Sequence, residues 1–333
     1  MSDKDLNKMR NKVLDISHNY YESLINLENV NGVGFGEKII NGVKTLEPCI
    51  HVLVNNKVSK KYLSNNNIIP KTFMGIKTDV IEIGKVKINS NPVFPIRKRP
   101  LESGVVIGLM GKIPSGTMCC IVSKEKEIES DESDDEETED NNIVTLEYFM
   151  LSNNHVIANL NDASIGSLII QPSKFYNGIF PKDLVGVLET FIPIKFIKDN
   201  SKPINYMDCA IARITNKNFI SNKILDSDKI NGLDTAKLNV NVKKIGFYSG
   251  LTRGKVSTLD TTITVEFDKK KEALFKNQIT TEIETSPGDS GSAILTDENK
   301  IIGMHMAGTG KGYSIGNNIN EILKELKVDL YTG

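Results

Sequence analysis

Long apolar runs are missing from this chain. No window approaches the roughly 18 uninterrupted apolar residues of a membrane helix, so no membrane partner is expected. The opening residues, MSDKDLNKMRNK, are charged and lack the apolar core of an export signal, which predicts a cytoplasmic protein. Cysteine is scarce as well. Cys49, Cys119, Cys120 and Cys209 show neither metal-ligand spacing nor the density of a disulfide framework. Four reduced, structural thiols are expected, with Cys119 and Cys120 facing opposite sides of a strand, and no metal or other cofactor. The basic cluster Arg97–Arg99 lacks interleaved aromatics, so no nucleic-acid partner is expected. Nucleotide loops are wanting too. GVGFG (32–36) lacks the third glycine of a dinucleotide turn, and AGTGKGYS (307–314) follows His305 where a phosphate loop needs glycine. Both stretches read as tight turns.

What is present is a globular composition, 39% apolar and 25% charged over 333 residues, with room for two domains. The net charge of −1 conceals one asymmetry: Glu127–Asp140 holds ten acids and no base. Such a run repels itself and stays hydrated, which predicts a disordered loop over 127–140 at the tip of a β-hairpin. Apolar residues from Leu6 to Leu27 recur at three- and four-residue intervals, predicting one amphipathic helix of about six turns. Strands follow over 32–40 and 49–54, with Asn41-Gly42 as a hairpin turn between them. Residues 88–103, with three prolines, read as a linker. From Gly104 short β-rich runs alternate with glycine and asparagine, the pattern of a barrel or sandwich, and 317–330 returns to helical spacing. The organisation expected is a small α+β domain over 1–87, the linker, and a mainly β domain over 104–333.

The segment TSPGDSGSAIL (285–295) bends sharply around one serine. A serine hydroxyl is a poor nucleophile unless a base, a group orienting that base and donors for an oxyanion surround it. Gly288 and Ser290 are placed to aim two backbone N–H groups into one concavity, and Gly291 lets the chain leave. Of the four histidines (His18, His51, His155 and His305), His155 stands where an apolar strand turns, in LSNNHVIA. Asp208, in NYMDCAIARI, precedes a strand that reads as buried and suits the orienting acid.

These blocks, together with KKIGFYSGLTRGKVSTL (243–259), resemble the trypsin/chymotrypsin-like serine peptidases over about Gly104 to Leu330. The resemblance implies a chymotrypsin-like double β-barrel, endopeptidase chemistry through His155, Asp208 and Ser290, and protein or peptide substrates. The chain departs from that family in having no IVGG-like start whose freed amine could pair with Asp289, so Asp289 requires another partner. Glu284, six residues before the serine, takes the position at the base of the first specificity pocket, where a buried carboxylate favours Lys or Arg. IIGMHMAG (301–308) instead resembles glutamate-specific members, with His305 as the reader and Met306 and Gly308 on the substrate-binding strand. A core histidine bonded to the backbone is the other reading of His305. The N-terminal part resembles the small domain preceding some bacterial intracellular peptidases and is a candidate site for a regulatory partner. The alternative function is a weak or inactive peptidase fold that binds rather than cleaves.

Overall fold

The computed structural model describes residues 3–87, 97–112, 115–128, 143–199, 201–268 and 271–333. Nearly all of the expected acidic loop, and residues 88–96 of the expected linker, lie outside the described residues. The chain is mainly β, with two curled sheets and a small helical N-terminal part, as its sequence indicates. Among the described residues no helix is long and apolar enough to cross a membrane.

Six strands close a ring, each antiparallel to the next: Asn241–Gly246, Gly250–Asp268, Lys271–Thr281, Ser314–Asn318, Ile301–Thr309 and Ala293–Thr296. Among the described residues the other sheet has eight strands, including Ile143–Ser152 and Ala210–Ile214, which pair through Ala210↔Ser152. Cys120–Ile128 and Ile143–Ser152 form the hairpin expected around the acidic run, in register from Cys120↔Leu151 to Ile128↔Ile143. One apolar cluster joins the two sheets, packing Phe149 and Leu151 with Leu295, Met304 and Ile322. Each such side chain removed from water contributes about 1.5–3 kcal/mol. The closing helix, Ile319–Leu326, is capped by the Asn318 side chain at 3.1 Å and ends at Lys327 with φ 53°.

Several sequence expectations change here. The N-terminal helix stops at Asn19, and a separate turn of helix spans Glu22–Ile25. Tyr21 turns into the core with Lys276 Nζ 4.8 Å above its ring, and that ammonium also donates to the His18 carbonyl at 2.9 Å. A cation on a terminal carbonyl satisfies the helix end and stops the run. Cys119 and Cys120 pack in the same cluster rather than on opposite faces, because the strand begins only at Cys120. Residues 32–36 form no tight turn; they lie in the strand expected over 32–40, which spans Val30–Ile40 and pairs with Val43–Val54 across Asn41 (φ 51°) and Gly42 (φ 79°). Gly36 is needed there for a close approach, since a Cβ would sit 2.1 Å from the His51 ring. This hairpin is hydrogen-bonded into the barrel sheet, with Gly32↔Ile263, Val33↔Thr262 and Phe35↔Leu259, in a sheet of twelve strands among the described residues.

Candidate active site

His155 lies in a single helical turn, Asn154–Ile157, which begins as the chain leaves the strand ending at Ser152. Asp208 sits just before Ala210–Ile214, the strand paired with that one. The pairing therefore brings the two residues together across 53 positions of sequence. His155 Nδ1 lies 2.5 Å from Asp208 Oδ2, and the His155 backbone N–H donates to Oδ1 at 3.2 Å. Both side chains are buried, at 8% and 0% exposure. Asp208 is itself fixed: its N–H donates to Asn317 Oδ1 at 2.9 Å, and its carbonyl accepts from Asn153 Nδ2 at 2.7 Å.

Ser290 stands in the turn before Ala293–Thr296, between Gly288 (φ 94°) and Gly291 (φ 96°). A side chain at Gly291 would be both strained and blocked, its Cβ 2.0 Å from the Thr117 carbonyl oxygen. Thr117 ties the two sheets together at this point. Its N–H donates to the Ser290 carbonyl at 2.7 Å, its hydroxyl donates to the Gly288 carbonyl at 2.7 Å, and its carbonyl accepts from Ser152 Oγ at 2.8 Å. A Cβ built at Gly116 would meet Val156 at 2.5 Å and the Ser290 carbonyl at 2.7 Å, so the histidine and serine segments flank one glycine. The Ser290 hydroxyl itself donates to the Met306 carbonyl at 3.1 Å, while His155 Nε2 is buried without a hydrogen-bond partner among the described residues. The N–H groups of Asp289, Gly291 and Ser292 are taken by Ser286, His305 and Asp289, respectively. Among the described residues, no acceptor takes the N–H of Gly288 or Ser290.

The partner of Asp289 is Lys244, from the strand Asn241–Gly246. Lys244 Nζ lies 2.7 Å from Asp289 Oδ2, and both side chains are 0% exposed. Ser249 Oγ donates to the same carboxylate at 2.6 Å, as do the N–H groups of Ser286 (2.9 Å), Ser249 (3.0 Å) and Tyr248 (3.1 Å). Burial alone would raise this carboxyl. Lys244, then Ser249 and Ser286, outweigh burial and hold it below the usual carboxylate range. Burial shifts the Lys244 ammonium down, against the pull of Asp289.

The specificity candidates fare differently. Glu284 is exposed, which removes the buried carboxylate expected at the base of a pocket; the chain alternates there, turning Ile283 inward and Glu284 outward. His305 is 2% exposed, and burial, reinforced by Lys244, holds its imidazole at about 3. It is neutral and lies within electrostatic reach of Lys244, Asp289 and His155, with a backbone hydrogen bond to Ile315. This is the core-histidine geometry rather than that of an open reader of carboxylates. Met306 is buried, and a register shift between His305 and Ala307 turns its carbonyl to the serine. Gly308 pairs with Ser314 on one side and Lys87 on the other. Phe267, which sequence reasoning passed over, meets the His155 ring in an edge-type contact with centroids 5.7 Å apart, and Phe196 packs on Phe267 at 6.0 Å.

Among the described residues, one group of potential metal ligands lies elsewhere. Cys49, His51 and Asp79 bring their ligand atoms within 4.8 Å of one another across paired strands. The group is already satisfied internally: His51 bonds Thr258 Oγ1 (3.0 Å) and the Glu37 carbonyl (2.9 Å), and Asp79 accepts from Lys38 (3.0 Å) and from the Ile39 N–H (2.7 Å). Burial pushes the Cys49 thiol up to about 12, away from the thiolate that a metal would need. The basic cluster is also occupied: Arg97 Nε donates to Asp183 at 2.7 Å, and Arg99 Nη2 to the Gln171 carbonyl at 2.9 Å.

Residues 16–84 match the family described as the NARROW LEAF 1 N-terminal domain. No curated protein sequence matches the chain. Among solved structures, Thermobifida fusca protease A is similar at 15% identity and TM-score 0.47, over 70% of this chain and 98% of that one. Cellulomonas bogoriensis chymotrypsin is similar at 16% identity and TM-score 0.45, over 70% and 98%. A glutamic acid specific serine protease that utilizes a histidine triad in substrate binding is similar at 19% identity and TM-score 0.44, over 69% and 100%.

Proposed function

We propose that this protein is a serine endopeptidase acting through Ser290, His155 and Asp208. The observation that carries the reading is the buried Asp208–His155 hydrogen bond, which leaves Nε2 without a partner among the described residues, in a segment that shares the neighbourhood of Gly116 with the glycine-flanked serine turn held by Thr117. In the reaction, Ser290 Oγ turns about its Cα–Cβ bond from the Met306 carbonyl to His155 Nε2. The imidazole takes the hydroxyl proton as Oγ adds to the substrate carbonyl, then delivers that proton to the departing amine. Asp208 keeps the other ring nitrogen protonated and stabilises the imidazolium. The N–H groups of Gly288 and Ser290 receive the oxyanion, a contribution of about 10²–10³ in rate per donor. Water, deprotonated by His155, releases the acyl group and restores the serine.

Labelling by a fluorophosphonate tests this directly. Wild-type protein should be labelled and hydrolyse a single-residue thiobenzyl ester, and Ser290→Ala should do neither. Equal labelling of both proteins, or of neither, overturns the proposal.

A further inference from the structure

The strand Ile301–Thr309 passes the nucleophile, and one side of it can be followed residue by residue. Gly303 and Met304 pair with Ile294 and Ala293. His305 then exchanges bonds with Ser292 (2.8 Å) and Gly291 (2.9 Å), and the Met306 carbonyl meets Ser290 Oγ at 3.1 Å. Beyond the serine this edge is where an extended polypeptide would add as a strand, gaining main-chain bonds while its carbonyl carbon reaches Oγ. It is not open. Gly308 faces Lys87 and Thr309 faces Val86, in antiparallel register. Ser314 already holds the opposite side of Gly308, so Lys87 lies on the side of Ser290.

The two-residue strand Val86–Lys87 is wedged from its other flank as well. Lys87 pairs in parallel with Glu266, the residue before Phe267, whose ring contacts that of His155. Val86 is 2% exposed and packs in one cluster with Met306, Ala307 and Phe275. Lys85 forms an ion pair with Glu266. The polarity matters: stepping from Val86 to Lys87 moves from Thr309 to Gly308, toward Met306 and the serine. That is the direction in which the acyl side of a substrate must run.

We propose that Val86–Lys87 occupies the place of the substrate's acyl-side backbone, so that the chain blocks its own cleft until this strand is released. The inference rests on the peptidase reading of the same site. It concerns extended substrates: a single-residue ester reaches Ser290 without touching Gly308 or Thr309, whereas a tetrapeptide must displace Val86 and Lys87.

The test compares single-residue thiobenzyl esters with fluorogenic tetrapeptide amides, both pooled over the residue before the cut. Val86→Asp places a charge in the apolar cluster and should release the strand. Its tetrapeptide kcat/KM, relative to ester kcat/KM, should rise about 10-fold or more over wild type, the worth of regaining one or two strand hydrogen bonds. A second variant guards against misfolding. Val86→Cys with Thr309→Cys joins facing residues, and the four native cysteines are buried. Oxidation should suppress tetrapeptide turnover about 10-fold relative to the reduced form and leave ester turnover unchanged. Equal tetrapeptide turnover in oxidised and reduced protein, or no gain in a folded Val86→Asp, overturns the self-blocking inference alone. Absence of both ester turnover and fluorophosphonate labelling in every form overturns the peptidase reading, and this inference with it.

Discussion

Replacing Lys244 by methionine keeps most of the side-chain volume and deletes the cation beneath the serine turn. At 2.7 Å and an effective dielectric of about 20, the attraction to Asp289 amounts to about 6 kcal/mol. The substitution also relieves the cost of burying an ammonium, so the net loss expected is about 3–5 kcal/mol, as for a buried pair deprived of one partner. Its pH dependence has a definite sign. The depressed carboxyl of Asp289 adds stability above its unfolded value that is lost as pH falls through the folded one, so the variant's deficit should be largest near neutrality. It should shrink in acid, where a protonated Asp289 needs no cation. Adding Asp289→Asn should recover part of the loss, because a neutral amide no longer calls for Lys244, although its Nδ2 cannot accept the N–H bonds that the carboxylate takes on both oxygens. The chain has no tryptophan, so urea unfolding is best followed by far-ultraviolet circular dichroism, with fluorophosphonate labelling rate as the readout of the turn. A Lys244→Met deficit below about 1 kcal/mol, or a double variant no better than the single, would refute the account.

Other outcomes follow from the same contacts. Thr117→Val leaves the Gly288 carbonyl and the Phe247 N–H without the threonine hydroxyl, and should cost about 1–3 kcal/mol and slow labelling; unchanged unfolding and labelling would show that the hydroxyl does not couple the sheets. His305, held at about 3 when folded against about 6.5 when unfolded, should make stability fall as pH drops from about 6.5, by up to ~1.4 kcal/mol per unit. A His305→Gln protein should show a shallower slope in the same urea titrations, and an identical slope would contradict the assignment. Thiol reagents should leave all four cysteines untouched in native protein and modify all four in denaturant; one fast native thiol would contradict their burial.

Much of the site was legible because its chemistry is local. The serine turn announces itself through Gly288 and Gly291, and His155 and Asp208 each stand at a strand end, where side chains reach a cleft. Lys244 was not legible. In KKIG one lysine reads as one more charge on a strand, and only a pairing across 45 positions makes it the cation of Asp289. The same limit hid Phe267, whose contact with His155 depends on how far the hairpin through Lys271–Thr281 extends. Glu284 misled because its distance from the serine in sequence does not report which way a side chain turns. The helix past Asn19 was overextended because periodicity does not register Lys276, which arrives from 258 positions away to take the His18 carbonyl.

The hairpin joined to the barrel through Gly32↔Ile263 has one more implication. A shortened protein beginning at Arg97 would retain every residue proposed for chemistry, yet would bare the backbone of Leu259–Ile263 along one flank. Unpaired amides and carbonyls in such a row recruit other chains. Trimming this protein is therefore expected to yield self-association before it yields a minimal enzyme.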